Sequence, residues 1–233
     1  MKSYNIDKYL LDKTFIKTAI ITVCKNKKKK QKSSNKNYYK AKEILENVDY
    51  YVEDLYKQLL GFELKHCQNK NIDYYFKPSC ERHFKTKDGN HRKVREITSA
   101  PLYPDQMVHE LFISLIYPIF KPTLYEYSCG SIKGKGNHYG VKYVKSIIKK
   151  HKDYNPTEIK YVFKGDIRKC YASFGHNYIK SVFRKRLKGK LAYRLFCEIL
   201  DVYCDKTVKN KKYGIPIGFA TSQYICNICL TPL

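Results

Sequence analysis

The stretch that most restricts the fold is PDQMVHELFISLIYPIF, residues 104–120. Pro104 and Asp105 open it, Val108, Leu111, Phe112 and Leu115 recur at helical spacing, and Pro118 marks the end. A helix this apolar has to be buried, so the rest of the chain must supply elements that surround it. The 233 residues are enough to build that core as one body with subregions.

The surrounding segments read as follows. After a short mixed segment to Leu11, TFIKTAIITVC is a small apolar patch that runs into lysines, and Lys25 to Lys32 reads as a solvated basic loop or arm. Ile44, Val48, Tyr51, Val52, Leu55 and Leu59 predict one amphipathic helix from Tyr38 that stops at Gly61. The runs IDYYF and KVREIT, separated by the turn-rich KTKDGNHR, predict a hairpin. The glycine-punctuated basic loop SCGSIKGKGNH feeds a helix whose Val141, Val144, Ile147 and Ile148 are expected to face inward. The run EIKYVF then predicts a strand leading to Asp166, and HNYIKSVFRKRL and LAYRLFCEILDVYC predict helices. A Gly-Pro loop and an apolar helix, GIPIGFATSQYICNICLTPL, finish the chain. Strands and helices mix without a regular βαβ repeat, which predicts an α+β fold.

Lys plus Arg number 46 against 21 Asp plus Glu, a formal net charge of +25. Charge of that size favours a polyanion as partner, and nucleic acid fits best. No apolar run approaches the length that spans a bilayer, so no membrane partner is expected. Nine cysteines, without the dense spacing of a secreted scaffold, read as reduced intracellular thiols.

Two candidate sites stand out. Asp166 follows a β-type run and a glycine, a setting in which a carboxylate can hold a hard divalent cation. Taken by itself it can equally cap the next helix or pair with Arg168 or Lys169. The second set, Cys67, Cys80, His83 and His91, has one close pair and so matches the spacing of structural zinc ligands poorly. Cys226 and Cys229 have CxxC spacing, with no second pair nearby.

Four segments, in order, resemble one family. KGDIRKCYASFGH resembles the metal-binding palm motif of reverse transcriptases, closest to those of bacterial diversity-generating retroelements and group II introns. REITSAPLYPDQMVHEL resembles their finger segment and the helix after it, and YSCGSIKGKGNHYGV the small basic loop that follows. GIPIGFATSQYICNICLTPL resembles the loop and helix beneath the primer–template and nascent base pair. Together they cover about Arg92 to Leu233.

The resemblance implies a polymerase right-hand fold with fingers and a partial palm, the thumb being absent. It divides the chain into residues 1–64, a basic extension with an amphipathic helix, and residues 65–233, the reverse transcriptase domain. It implies RNA-directed DNA synthesis by two-metal-ion transfer of dNTPs, with Mg²⁺, or Mn²⁺ in its place, as cofactor. Asp166 would be the catalytic metal carboxylate, and the backbone carbonyl of Ile167 would add a second oxygen. Tyr171 matches the aromatic gate against the incoming sugar, where a bulky ring penalises a 2′-hydroxyl. Arg95 matches the triphosphate-contacting arginine, with Lys93 a second candidate, and Gly218 lets backbone approach the base pair closely. Lys133 and Lys135 would approach the nucleic-acid backbone, and Ser222 and Gln223 would cap the last helix or touch nucleic acid, with capping expected of Ser222. His109 and His138 are expected to be structural.

Two positions depart from the family. Ile217 stands where intron enzymes usually carry glutamine, and Phe219 where many relatives carry asparagine. The second acidic element, an aromatic, one variable residue and two aspartates after Gly214, does not occur in these 233 residues. Asp201 and Asp205 precede Gly214 and read as a solvated helix end. The isolated polypeptide is therefore expected not to polymerise, and to need a missing C-terminal half or an accessory protein. Its last helix, with Tyr224, Ile225, Ile228 and Leu230, is expected to expose apolar surface. The implied partners are an RNA template, a DNA or RNA primer and dNTPs, in the cytoplasm of a bacterium or on a phage genome. The rival expectation is a non-catalytic RNA- or DNA-binding module of the same fold, in which Asp166 is only structural.

Overall fold

A computed structural model describes residues 3–30, 35–80, 82–88, 93–132, 134–154, 161–202 and 212–231. The chain is α+β and mostly helical. In order come α1 (Asp7–Leu10), α2 (Lys13–Lys30), α3 (Lys36–Glu46), α4 (Val48–Gln68), β1 (Arg82–Asp88), β2 (Lys93–Ser99), α5 (Met107–Phe120), α6 (Asn137–Tyr154), α7 (Cys170–Ser173), α8 (His176–Arg184), α9 (Lys190–Asp201) and α10 (Ala220–Leu230). Among the described residues the sheet is one antiparallel pair, β1 with β2, in which Arg95 faces Thr86 and Ile97 faces Phe84.

The apolar helix is central, as its composition requires. Val108, Leu111, Phe112 and Leu115 of α5 are all buried, and Ile16 and Ile20 of α2 pack in the same core. Pro118 lies inside α5, which continues to Phe120. On the far side an aromatic stack ties α5 to α8 and α9: Phe112 lies 5.7 Å from Phe196, and Phe196 lies 4.0 Å from Phe183. Burying such rings stabilises the fold by about 2–3 kcal/mol each.

The first helices belong to this core. Asp7 of α1 caps α9: its carboxylate accepts the N–H of Leu191 at 3.2 Å and of Ala192 at 2.8 Å, two of the donors a helix start leaves unpaired. Any side chain at Gly189 would overlap that carboxylate. One hydrophobic core thus runs across the boundary between residues 64 and 65.

Several local expectations change. Lys25 to Lys30 continue α2 instead of forming a loop, because the buried Ile20, Val23 and Cys24 carry the helix outward and lysine is a good helix former. The expected single helix is two, broken at Asn47, which serves as C-cap of α3 and N-cap of α4. Gly61 does not stop α4; it lies in mid-helix, where a Cβ would overlap the carbonyl oxygen of Tyr74. IDYYF is not a strand: Phe76 plugs the core and its N–H donates to Gln58 at 2.9 Å, leaving Arg82–Asp88 to pair with β2.

On α6, Val141, Val144 and Ile148 are exposed rather than inward, since amphipathic spacing fixes a face but not what covers it. Of EIKYVF, residues 158–160 lie outside the described residues, and Tyr161, Val162 and Phe163 are exposed without strand pairing. A strand requires a hydrogen-bonded neighbour, and none of the described residues provides one here. The last helix, α10, is covered better than expected: Ile225 and Ile228 are buried against α5 and α8, and the Tyr224 ring meets Tyr117 edge-on at 5.6 Å. Among the described residues no helix is long and apolar enough to cross a membrane.

Candidate nucleotide and nucleic-acid site

The Gly-Pro loop before α10 is held on two sides. On one side it runs beside the segment after α7. Ile215 N–H donates to the Tyr171 carbonyl at 2.9 Å, Gly214 N–H to Phe174 at 2.7 Å, and His176 N–H to Lys212 at 2.9 Å. The buried His176 ring adds a cross-tie, with Nε2 2.8 Å from the Gly214 carbonyl and Nδ1 3.1 Å from Asp201. On the other side the N–H of Thr98, in β2, donates to the Ile217 carbonyl at 2.8 Å.

Gly218 closes that second contact. Its φ of 123° lies where side chains are rarely tolerated, and a Cβ would overlap the Thr98 carbonyl oxygen. The close approach served by Gly218 in this structure is therefore to β2. Phe219 then turns into the core, its ring 4.9 Å from that of the fully buried His109. Burial pushes the His109 imidazole down to about 4, so it is neutral and structural, as expected. His138, at the start of α6, is exposed.

These ties create a cavity of about 320 Å³ lined by Arg95, Tyr171, residues 217–220, Ser222 and Gln223. Five of the residues singled out in the sequence, Arg95, Tyr171, Gly218, Ser222 and Gln223, thus come together across β2, α7 and α10. Arg95 is the single charged residue among the described lining. Burial pushes the Tyr171 phenol above its ordinary value, which keeps it a neutral donor.

Ser222 corrects an expectation. It does not cap α10: the N-cap is Phe219, and no side chain caps that end. The Ser222 side chain is buried one turn in, and its hydroxyl has no hydrogen-bond partner among the described residues. A buried hydroxyl left unpaired costs about 1–3 kcal/mol.

The basic loop docks against the same helix. Ser131 donates to Gln223 Oε1 at 2.7 Å, and Asn227 Nδ2 donates to the Gly130 carbonyl at 2.7 Å. Lys135 lies 5.2 Å over the Tyr139 ring and donates to the Glu126 carbonyl. Lys133 lies outside the described residues. So does the Lys93 side chain, although its backbone pairs with Asp88.

Asp166 and Ile167 do not line the cavity; both are exposed on the irregular segment before α7. Among the described residues no group of three or more His, Cys, Asp or Glu side chains gathers to hold a metal ion. Asp166 as placed is a single exposed carboxylate, too little by itself for Mg²⁺, and no chemical step through a metal is derived from it. In the Cys67, Cys80, His83 and His91 set, His91 and the His83 side chain lie outside the described residues.

Asp201 is not a solvated helix end. It accepts from Lys180 at 2.6 Å and Lys212 at 3.2 Å besides facing His176, and those hydrogen bonds hold its carboxyl below the usual range although burial opposes them. Asp205 lies outside the described residues.

Thr98, Ser131, His176 and Asn227 were not legible in the sequence as parts of this site. Each acts through backbone or side-chain bonds to a distant segment, which have no local pattern. The sequence matches no model of a known protein family, and no curated protein is significantly similar to it.

Proposed function

We propose that the chain is a reverse transcriptase domain of the right-hand polymerase type, comprising fingers and part of the palm, and that the cavity is its dNTP site. The observation that carries this reading is the assembly of Arg95, Tyr171, Gly218, Ser222 and Gln223 around one cavity, from segments up to 128 positions apart in sequence. In this reading the Arg95 guanidinium takes triphosphate oxygens, the Tyr171 ring packs on the sugar, and the Ser222 hydroxyl gains the partner it lacks. The loop carrying Lys135 follows the nucleic-acid backbone, Lys133 being assigned to it by resemblance alone, and Gln223 links that loop to the cavity. Lys93, two residues before Arg95 on β2, is assigned to the triphosphate by resemblance alone.

Asp166, with the Ile167 carbonyl, is assigned to Mg²⁺ by resemblance alone. When bound, the metal would supply Lewis-acid stabilisation of the transferring phosphate. RNA template, primer and dNTPs are the proposed partners.

One observation favours the rival, a nucleic-acid-binding module without catalysis: Asp166 is exposed and outside the cavity lining. Equilibrium binding of dATP and ATP to the purified chain tests the nucleotide site. The dNTP is expected to bind more tightly than the ribonucleotide. Arg95→Ala is expected to weaken both by about tenfold or more, and Tyr171→Ala to narrow the difference. Primer extension separates the readings of Asp166. Robust synthesis lost in Asp166→Ala would overturn the binding-only reading, and binding without extension would favour it.

A further inference from the structure

A second cleft, of about 700 Å³, lies between the C-terminal end of α4, α8 and α9 and shares no lining residue with the Arg95–Tyr171 cavity. Five cations line it: Lys180, Arg184, Lys190, Arg194 and Lys212. Its two carboxylates are already engaged. Asp201 takes Lys180, Lys212 and His176, as described, and Glu198 pairs with Arg194 at 2.8 Å. The positive surplus therefore faces the open cleft.

The arrangement of the remaining cations suits an extended anion. The Arg184 guanidinium lies 4.8 Å over the Tyr193 ring, which leaves its edge donors available to phosphate oxygens. Lys190 is exposed in the first turn of α9, where the helix dipole disfavours a cation. Tyr193 and His66, the latter pushed towards its neutral form by burial, add flat ring surface between the charges.

We propose that this cleft is a second nucleic-acid site, holding the phosphodiester backbone of a single strand away from the nucleotide cavity. Its cations are spread over three stretches of chain instead of converging on one point, which fits successive phosphates better than one small anion. Its concavity does not fit a flat lipid surface. The inference rests on the cleft alone and survives if the nucleotide cavity proves empty of function.

The test is fluorescence anisotropy with fluorescein-labelled oligouridine and oligothymidine, titrated between about 50 and 200 mM salt. The variant Arg184→Gln/Lys190→Gln/Arg194→Gln removes three exposed cleft charges. Lys142→Gln/Lys145→Gln/Lys149→Gln removes three exposed charges on α6. The cleft variant is expected to lose about tenfold in affinity and about 2 in the slope of log K against log salt, with the α6 variant changed less than about threefold. Lys190→Glu alone, at an exposed side chain, is expected to lower affinity in the same direction. Equal losses in the cleft and α6 variants would overturn the proposal. So would full displacement of the strand by inorganic phosphate alone, or cleft-dependent binding to phosphatidylserine vesicles without any effect on the oligonucleotides.

Discussion

The N–H of Thr98 donates to the carbonyl of Ile217 at 2.8 Å, joining the end of the hairpin to the loop that starts α10. That bond sets Arg95, three residues before Thr98 on the strand, across the cavity from Ser222 and Gln223. The site exists because two segments with no sequence adjacency share this backbone contact.

Gly218→Ala tests the contact. The added methyl meets the Thr98 carbonyl and the backbone sits at a φ of 123°. A loss of about 2 kcal/mol or more is expected, read as a fall in Tm of roughly 4 °C or more. An unchanged Tm would mean that β2 and the loop are not in contact.

Ser222→Ala separates stability from binding. The wild-type hydroxyl is buried without a described partner, so its removal is expected to be neutral or to stabilise by up to about 1 kcal/mol. Nucleotide affinity is expected to fall nonetheless. A clear loss of stability instead would show that the hydroxyl has a partner within the chain.

Acid stability should carry the mark of His109. In the native state it stays neutral down to about 4, whereas in the unfolded chain an imidazole takes its proton near 6.5. The unfolded state therefore binds more protons in that window. Stability is full above about pH 6.5 and falls as pH drops towards 4, by up to about 3 kcal/mol. His66, also lowered by burial, acts in the same direction. Denaturant unfolding of His109→Leu at pH 7 and pH 5 is expected to show a smaller difference between the two than wild type.

Asp54, on α4, ties three segments together. Its carboxylate accepts the hydroxyls of Tyr103 and Tyr74 and the Gln58 amide, the last at 2.8 Å. These bonds outweigh burial and hold its carboxyl below the usual range, so its contribution is present above about pH 4 and is lost as pH falls below that. Asp54→Ala leaves the Tyr103 hydroxyl with only the long 3.4 Å contact to the Tyr51 carbonyl, and is expected to cost about 2 kcal/mol at pH 7, measured by chemical denaturation.

Much of this was legible in the sequence, for identifiable reasons. The burial of Val108, Leu111, Phe112 and Leu115 followed from spacing and composition alone, because a helix that apolar has one stable environment. A hairpin was legible from its turn, although its first strand was displaced once Phe76 found a core position. The residues around the cavity were named by resemblance, and five of them do share it. What escaped was whatever depends on a distant partner. Gly61 looks like a helix stop until Tyr74 is seen against it. Ser222 looks like a cap until the helix is seen to begin at Ala220. Val141, Val144 and Ile148 look inward because periodicity reports a face and not its neighbour.

The nucleotide cavity is tested most directly by photocrosslinking the purified chain with 8-azido-dATP and mapping the adduct by mass spectrometry. The adduct is expected on the peptides carrying Tyr171 or residues 217–223, to be competed by unlabelled dATP and to be lost in Arg95→Ala. Crosslinking that falls elsewhere, or that persists in Arg95→Ala, would contradict the assignment of this cavity to a dNTP.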